Sequence, residues 1–196
     1  KRLRKEGFRQ VHVLDAGGAP LRVRIVRERP WNDRSEVHGP FDVIGDVHGC
    51  LGELRTLLED LGWALDFDDA GRAVGACHPQ GRLAVFVGDL VDRGPDSPGV
   101  VRLVMGMVEQ GSALCVSGNH EAKLVRALRG TTVTVSHGLA QSLEQFGREP
   151  DQFRADALAF MDGLVAHYVL DDGRLVVAHA GLKEEYHGRT SARVRA

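Results

Sequence analysis

The chain has 196 residues, of which 43% are hydrophobic and 27% are charged, so it can bury the core of one ordinary globular domain. This composition excludes disordered, collagen-like and disulfide-stapled chains. The net charge of −2 points to neither a nucleic acid nor a membrane, although residues 1–30 are basic, with nine Lys or Arg against three acidic residues, and the remainder is acidic.

Cysteine usage and hydropathy predict the cellular setting. Cys50, Cys77 and Cys115 are far apart and lack the paired spacing of a zinc site or a redox motif, which favours a reduced, cytoplasmic setting. No segment approaches the ~18 apolar residues of a membrane span, so we expect no membrane association. The chain begins at Lys and stops at SARVRA, so we expect it to be part of a longer polypeptide.

The first 40 residues are expected to stand apart from the rest. Residues 11–28 show strand-like alternation with Gly17-Gly18 available for a turn, which predicts a hairpin. The stretch from Arg29 to Pro40 has two prolines and no periodicity, so we expect a linker or surface loop. We place a domain boundary there, with one domain over 41–196.

From Phe41 onward, short apolar runs alternate with glycine-rich loops and helical patterns. Leu51, Leu54, Leu58 and Leu61 form one helical stripe that ends at Gly62. Further helices are predicted over roughly 98–110, after 121, near 137–146 and over 151–166, and a hairpin is predicted around the Asp-Asp-Gly turn at 171–173. Strands alternating with helices predict an α/β fold.

Four of the apolar runs end in residues that can bind a metal ion. Three end in a glycine followed by Asp46, Asp89 or Asn119, and the fourth ends at His179. Ligands of open α/β sheets bind outside the carboxyl ends of the strands, so we expect these loops to meet at one edge. The candidate ligands are Asp46, His48, Asp89, Asn119, His120 and His179.

This donor set favours particular ions. It offers carboxylates, an amide oxygen and imidazoles but no thiolate, which suits manganese, iron or zinc better than calcium. Two ions about 3.5–4 Å apart need a bridging carboxylate, and together they activate water and clamp a phosphate oxyanion. We expect two divalent ions bridged by Asp89, with manganese, iron and zinc as the candidates and nickel as a further alternative.

Three residues are candidates for the reaction itself. Arg93 carries a planar cation suited to phosphate oxygens. Asp92 and His120 suit an orienting residue and a general acid that protonates a leaving oxygen. Each has a structural alternative, since Arg93 can pair with Asp92 or Asp96 and Asp92 can brace its loop. For His120, as for Asp46, His48, Asp89 and Asn119, the alternative is a role in turns and caps after a strand.

Four motifs in order resemble the calcineurin-like metallophosphoesterases. They are Gly-Asp-Val-His-Gly at 45–49, Gly-Asp-Leu-Val-Asp-Arg-Gly at 88–94, Gly-Asn-His-Glu at 118–121 and His-Ala-Gly at 179–181. The resemblance implies a four-layer α/β sandwich with two central sheets flanked by helices. It also implies Asp46, His48 and Asp89 around one ion, Asp89, Asn119 and His179 around the second, and Arg93, Asn119 and His120 at the phosphate.

One family element is missing from the chain. Members of the family supply a further histidine to the second ion from a downstream Gly-His motif, and after Gly181 this chain offers only LKEEYHGRTSARVRA. His187 precedes a glycine rather than following one, so we do not assign it this role. We expect the domain to be incomplete at its C-terminal end, with that histidine just past Ala196.

The flanking segments resemble a narrower family. WNDRSEVHGPFDVIGDVHGCLGEL, VSHGLAQSLEQF and VVAHAGLKEEYHGRTSARVR are similar to the phosphatase module of the bacterial polynucleotide kinase-phosphatases. This resemblance implies removal of 2′-, 3′- or 2′,3′-cyclic phosphates from RNA or DNA ends. It also implies that residues 1–40 are the tail of a kinase module plus a linker, with an adenylyltransferase module and a 2′-O-methyltransferase as partners.

We therefore predict a metal-dependent phosphoesterase that acts on polynucleotide ends in RNA repair. The same loops would also suit a protein serine/threonine phosphatase or a dinucleoside tetraphosphatase. A non-catalytic scaffold with the same fold is a further alternative, because one expected metal ligand is missing.

Overall fold

A computed structural model describes residues 29–188, so the hairpin expected over residues 11–28 lies outside the described residues. The strands are β1 (Asp33–Arg34), β2 (Phe41–Ile44), β3 (Ala64–Phe67), β4 (Ala73–Cys77), β5 (Leu83–Phe86), β6 (Ala113–Cys115), β7 (His167–Leu170) and β8 (Leu175–Ala178). The α-helices are α1 (Leu51–Asp60), α2 (Ser97–Glu109), α3 (Asn119–Leu128), α4 (Leu139–Gly147) and α5 (Asp151–Gly163).

The first sheet consists of three parallel strands in the order β2-β5-β6. Successive side chains of a strand point to opposite faces, so β5 serves two layers. Ala84 and Phe86 belong to a cluster to which all five helices contribute, whereas Val85 packs toward the second sheet. All three side chains are fully buried, as expected for a parallel sheet covered on both faces.

The second sheet has the order β1-β7-β8, with β7 and β8 antiparallel. Leu170 and Val177 of this sheet pack against Val85 and Leu114 of the first sheet. The described residues therefore form a helical layer and two stacked sheets, which confirms the predicted mixed α/β architecture. These are three of the four expected layers.

Helix boundaries follow the sequence signals closely. Helix α1 buries Leu54 and Leu58 from the predicted leucine stripe. At the start of α2 the Asp96 carboxylate accepts a hydrogen bond from the Gly99 N–H at 2.8 Å, which caps the helix.

Two strand pairs were not predicted. Part of the segment expected to be a linker or loop forms β1, which pairs in parallel with β7, and Val37 packs onto the second sheet. A two-residue strand has no alternation to detect, so this segment looked irregular in the sequence. The β3–β4 hairpin is the second pair, and β4 packs on α2, where Gly106 leaves room for the Val74 carbonyl.

Candidate metal centre and catalytic residues

The residues predicted to bind metal lie at one edge of the stacked sheets. Each follows a strand that ends there: Asp46 and His48 follow β2, Asp89 follows β5, Asn119 and His120 begin α3 after β6, and His179 follows β8. The parallel strands of the first sheet bring their carboxyl ends together, and β8 brings His179 to the same place.

Asp89 lies at the centre of this group. Its side chain is 6% exposed, and its Oδ2 lies 3.4 Å from His179 Nε2 and 3.9 Å from His48 Nε2. Ligand atoms of His48, Asp89 and His120 lie within 4.8 Å of one another, and so do those of Asp46, Asp89 and His179. Asp89 is therefore shared by two ligand clusters, which is the arrangement required of a bridging carboxylate.

The imidazole contacts fit metal ligation. His48 Nδ1 donates to the Val91 carbonyl at 2.9 Å, and His179 Nδ1 donates to the Val87 carbonyl at 2.8 Å. In a neutral imidazole this leaves each Nε2 as a lone pair directed into the site. The buried His48 Nε2 has no hydrogen-bond partner in the described part of the chain.

The oxygen atoms near His179 also indicate that its Nε2 is a metal ligand. Its Nε2 lies 3.1 Å from Asn119 Oδ1 and 3.4 Å from Asp89 Oδ2. An unprotonated nitrogen and two oxygens at these distances repel one another, and a divalent cation between them turns the repulsion into attraction. The side chains present therefore fit a metal ion.

The two loops carrying Asp89 and Asn119 approach each other closely. Gly88 has a φ of +88°, and a Cβ there would lie 2.9 Å from the Gly118 Cα. A side chain at this position would force the loops apart. The glycines of the two motifs thus set the distance between Asp89 and Asn119.

Asp92 and His120 form the expected pair. His120 Nδ1 lies 2.7 Å from Asp92 Oδ2, and both residues are buried. The Asp92 backbone N–H donates to the hydroxyls of Ser97 and Ser142 at 3.1 and 3.0 Å, holding Asp92 at a φ of +72°. His120 Nε2 faces Asp89 Oδ2 at 3.8 Å, so this nitrogen is directed toward the site.

Arg93 is exposed and follows Asp92, with a φ of +67°. The two alternative partners considered for it are engaged elsewhere, because Asp92 contacts His120 and Asp96 caps α2. Over residues 29–188 no hydrogen bond or ion pair holds its guanidinium. The side chain is therefore available to an anion at this edge.

Glu121 is a functional residue that the sequence reasoning quoted within a motif but assigned no role. It is fully buried, and Oε2 accepts from the backbone N–H groups of Asp89 and Gly118, each at 2.8 Å. Oε1 accepts from the Leu90 N–H at 2.7 Å. Burial raises the pKa of Glu121, and these backbone donors oppose the rise. One carboxylate thus joins the two metal-binding loops.

The other candidate side chains lie outside the two clusters. His187 is exposed, and its neighbour Gly188 donates its N–H to His167 Nε2 at 2.8 Å. His137 is exposed on the loop before α4, where Gly138 lies against the Arg93 backbone. Cys115 is buried, which raises the pKa of its thiol well above the ordinary value.

Among residues 29–188 no helix has the length and apolar character to cross a membrane.

A mixed α/β sandwich with histidines and carboxylates gathered where its strands end defines the metallophosphoesterase class of fold and site. Sequence comparison agrees, because the family model for calcineurin-like phosphoesterases matches residues 39–194. The chain therefore belongs to the calcineurin-like phosphoesterase family, whose members are metal-dependent phosphohydrolases using two ions. This membership confirms the predicted class of enzyme.

Curated relatives share the same region. The chain is 39% identical over 159 residues to the asymmetrical bis(5′-nucleosyl)-tetraphosphatase PrpE of Geobacillus thermodenitrificans, and 38% identical over 159 residues to that of Bacillus subtilis. Each match covers 79% of this chain, which spans 62% and 63% of the length of these two relatives.

A solved structure shows the same likeness. A crystal structure of a candidate diadenosine tetraphosphatase superposes with a TM-score of 0.53 at 28% identity, covering 79% of this chain and 56% of that chain. The relatives at 36–39% identity carry the name of a tetraphosphatase, not of a polynucleotide kinase-phosphatase. The narrower resemblance drawn from the flanking segments is therefore not supported, and the family-level resemblance is.

Proposed function

We propose that this domain is a hydrolase of nucleotide-linked phosphates that holds two divalent ions, with a dinucleoside tetraphosphate as its substrate. The position of Asp89 in both ligand clusters carries the proposal. We assign Asp46 and His48, whose Oδ2 and Nε2 atoms lie 3.8 Å apart, to one ion. Asn119 and His179, with Oδ1 and Nε2 3.1 Å apart, are assigned to the other. The ligand atoms of the structure itself group His48 with His120, and Asp46 with His179, around the shared Asp89. When bound, two such ions activate water and neutralise charge on the reacting phosphate.

The donor types guide the choice of metal. Oxygen ligands come from Asp46, Asp89 and Asn119, and nitrogen ligands come from His48 and His179, with no thiolate among them. This mixture suits manganese, and iron, nickel and zinc are the alternatives. Manganese is the ion we would test first.

The residues around the metal ligands have separate tasks. Arg93 and Asn119 hold phosphate oxygens that do not react, Arg93 through the fork of its guanidinium. His120 donates a proton from Nε2 to the departing oxygen. Asp92 keeps the His120 ring in the required orientation through the contact with Nδ1.

The relatives support the choice of substrate. Proteins covering the same region at 36–39% identity are named as tetraphosphatases that cleave bis(5′-nucleosyl) substrates asymmetrically. In such a substrate the reacting phosphate is followed by further phosphates and a second nucleoside. The open edge that holds Arg93 and Asn119, both exposed, leaves room for this extension.

Phosphorylated polynucleotide ends are the second candidate substrate. The observation in their favour is the likeness of the segments flanking the metal motifs to the phosphatase module of the polynucleotide kinase-phosphatases. The associated kinase, adenylyltransferase and methyltransferase partners, the assignment of residues 1–40 to a kinase tail, and the cytoplasmic setting all stay predictions.

One competition experiment separates these substrates. Diadenosine tetraphosphate, a 3′-phosphorylated oligonucleotide and a serine phosphopeptide are offered to one manganese-loaded preparation, with Asp89→Ala as the inactive control. We expect the highest kcat/KM with diadenosine tetraphosphate, yielding ATP and AMP. A clear preference for the oligonucleotide or the phosphopeptide contradicts the proposed substrate, and equal activity in Asp89→Ala contradicts the proposed site.

A further inference from the structure

A cavity of about 350 Å³ opens between α3 and the end of α5, and its lining includes Ser117, two residues before Asn119. Helix α3 contributes Ala122, Val125 and Arg126 to its lining, and Met161 and Leu164 lie on the opposite side. We call this space the α3–α5 cavity. Its size lies within the range of about 300–1,000 Å³ that is typical of sites for small molecules.

The cavity and the candidate metal centre lie along the same face of α3. Asn119, Ala122, Arg126 and Arg129 follow one another at intervals of three, four and three residues, which places them on the same side of a helix. Asn119 faces the candidate metal centre, and the other three line the cavity. Ala122, between Asn119 and Arg126, has the smallest side chain of the four.

Among residues 29–188, Arg126 is the arginine of this stripe that has no carboxylate partner. Arg126 donates from Nε to the Ala122 carbonyl at 3.2 Å, and within residues 29–188 its terminal guanidinium nitrogens have no further partner. Arg129, by contrast, donates to the Asp162 carboxylate at 2.8 Å. By helix geometry, the Arg126 backbone lies only about 10 Å from that of Asn119, which is within reach of a chain of phosphates.

Val125, Met161 and Leu164 give the cavity an apolar wall, and the polar Ser117 and Asp162 also line it. Met161 and Val125 are buried, and Leu164 is half-buried at the end of α5. A flat aromatic base packs well against such side chains, while phosphates need the arginine. The cavity thus combines the two kinds of surface that a nucleotide requires.

We propose that the α3–α5 cavity binds the nucleotide portion of the substrate that lies beyond the reacting phosphate. Arg126 contacts its phosphate oxygens, and the wall of Val125, Met161 and Leu164 contacts its base. This inference rests on the proposed dinucleoside tetraphosphatase function and deepens it, because it names the surface that distinguishes a dinucleotide from a simple phosphate ester.

The test compares two substrates in charge-reversed variants of the full chain. Diadenosine tetraphosphate has a nucleotide portion beyond the reacting phosphate, and p-nitrophenyl phosphate contains no nucleotide. Arg126→Glu is compared with Arg148→Glu, the same change at an exposed arginine that pairs with Glu144. We expect Arg126→Glu to raise the KM for diadenosine tetraphosphate about tenfold or more, as losing a charge-assisted hydrogen bond does, and to lower its kcat/KM relative to p-nitrophenyl phosphate by a similar factor.

The control variant and a second measurement distinguish failure of the cavity proposal from failure of the proposed function. Equal KM values for diadenosine tetraphosphate in Arg126→Glu and Arg148→Glu overturn the cavity proposal while leaving the tetraphosphatase activity in place. If the wild type cleaves p-nitrophenyl phosphate but not the dinucleotide, the proposed function fails. In that case the nucleotide site is tested by inhibition of p-nitrophenyl phosphate cleavage with β,γ-methylene-ATP. A Ki raised about tenfold in Arg126→Glu alone supports the nucleotide site. Equal Ki values in Arg126→Glu and Arg148→Glu overturn it.

Discussion

The Nδ1 atom of His120 lies 2.7 Å from Oδ2 of Asp92, and both residues are buried beneath the candidate metal centre. Within the described residues, the second oxygen of Asp92 has no hydrogen-bond partner. The carboxylate is therefore committed to the histidine and does not brace its own loop through side-chain contacts. This favours the orienting role over the structural alternative for Asp92.

Asp92→Asn tests this role through the leaving group. The substitution replaces the carboxylate that faces Nδ1 by an amide, so the ring is held less firmly with Nε2 toward the departing oxygen and proton donation weakens. We expect kcat for glycerol phosphate to fall about 100-fold or more. p-Nitrophenolate departs without a proton, so kcat for p-nitrophenyl phosphate should fall far less. Steady-state kinetics with both substrates make the comparison.

Asp60→Asn is the matched control, because Asp60 is exposed at the end of α1. It should leave both rates unchanged. If Asp92→Asn reduces the two rates by the same factor, His120 is not the proton donor that Asp92 orients.

Glu121→Gln should separate the two loops that the carboxylate joins. In the wild type, both carboxylate oxygens of Glu121 accept hydrogen bonds from backbone N–H groups. Glutamine keeps one of these acceptor oxygens and replaces the other by an NH2 group, which cannot accept from a backbone N–H. We expect a loss of about 2–4 kcal/mol in the free energy of unfolding, since buried hydrogen bonds to a charged group are lost. Manganese affinity should fall with it. Denaturant unfolding and calorimetry measure the two effects.

Glu109→Gln is the control for this variant, since Glu109 is exposed at the end of α2 and should tolerate the change. Manganese affinity that stays at the wild-type value in Glu121→Gln contradicts a positioning role for the buried carboxylate, whatever happens to stability.

Because of His167, we expect the free energy of unfolding to decrease in acid. Burial, and then the nearby His187, lower the pKa of this fully buried histidine. Its Nε2 accepts from the Gly188 N–H and lies 3.1 Å from Asn32 Nδ2, an arrangement that suits the neutral ring. The unfolded chain therefore binds a proton more readily than the folded chain, so stability falls as the pH drops below about 6.5.

His167→Gln should remove this part of the pH dependence, because glutamine accepts similar hydrogen bonds and does not titrate. Unfolding free energies measured between pH 7 and pH 5 should decline less steeply in His167→Gln than in the wild type. His137→Asn, at an exposed position, should retain the wild-type slope. Parallel pH profiles for the wild type and His167→Gln count against the prediction.

Asp42 predicts a loss of stability at lower pH. The Arg82 guanidinium lowers the pKa of this buried carboxylate, and the Trp63 indole donates to it at 2.9 Å. The stabilisation is complete above the ordinary aspartate pKa of about 4 and is lost as the pH falls through the lowered value. Asp42→Asn should cost about 1–3 kcal/mol at pH 7 and flatten the profile below pH 4.

The exposed Asp69→Asn is the comparison for Asp42→Asn, and it should keep the wild-type profile in denaturant unfolding. Equal stability of Asp42→Asn and the wild type at pH 7 contradicts a stabilising role for the Asp42–Arg82 pair.

Much of the metal centre could be predicted because its residues sit in short motifs at strand ends. Asp46, Asp89 and Asn119 each follow a glycine after an apolar run, and that local signal is sufficient to place them at one sheet edge. His179 closes the fourth run in the same way. The structure shows in addition that Asp89 belongs to both ligand clusters. The spacing of the motifs in the sequence could suggest this but could not measure the distances.

Other features depend on contacts between distant segments. The burial of Glu121 follows from its packing against residues 89–91, about thirty positions earlier. A glutamate in the first turn of a helix is a signal for a cap, but nothing local reveals that it would satisfy a second loop. The α3–α5 cavity likewise arises only when Arg126 and Met161 are brought to the same space.

The flanking segments led to the narrower substrate prediction, and the comparisons did not support it. Segments such as residues 31–54 include the packing elements β1, β2 and the start of α1. Similarity there reflects the demands of the fold as well as those of a substrate. The metal motifs define the reaction, and the substrate is defined by surfaces beyond them.

Titration of manganese into the metal-free chain tests the account most directly. We predict two ions per chain for the wild type, one for Asp46→Asn, and none for Asp89→Ala at the same concentrations, because Asp89 is shared between both clusters. Calorimetry gives the stoichiometry, and circular dichroism confirms that each variant is folded. Two ions bound by a folded Asp89→Ala chain would contradict the proposed centre.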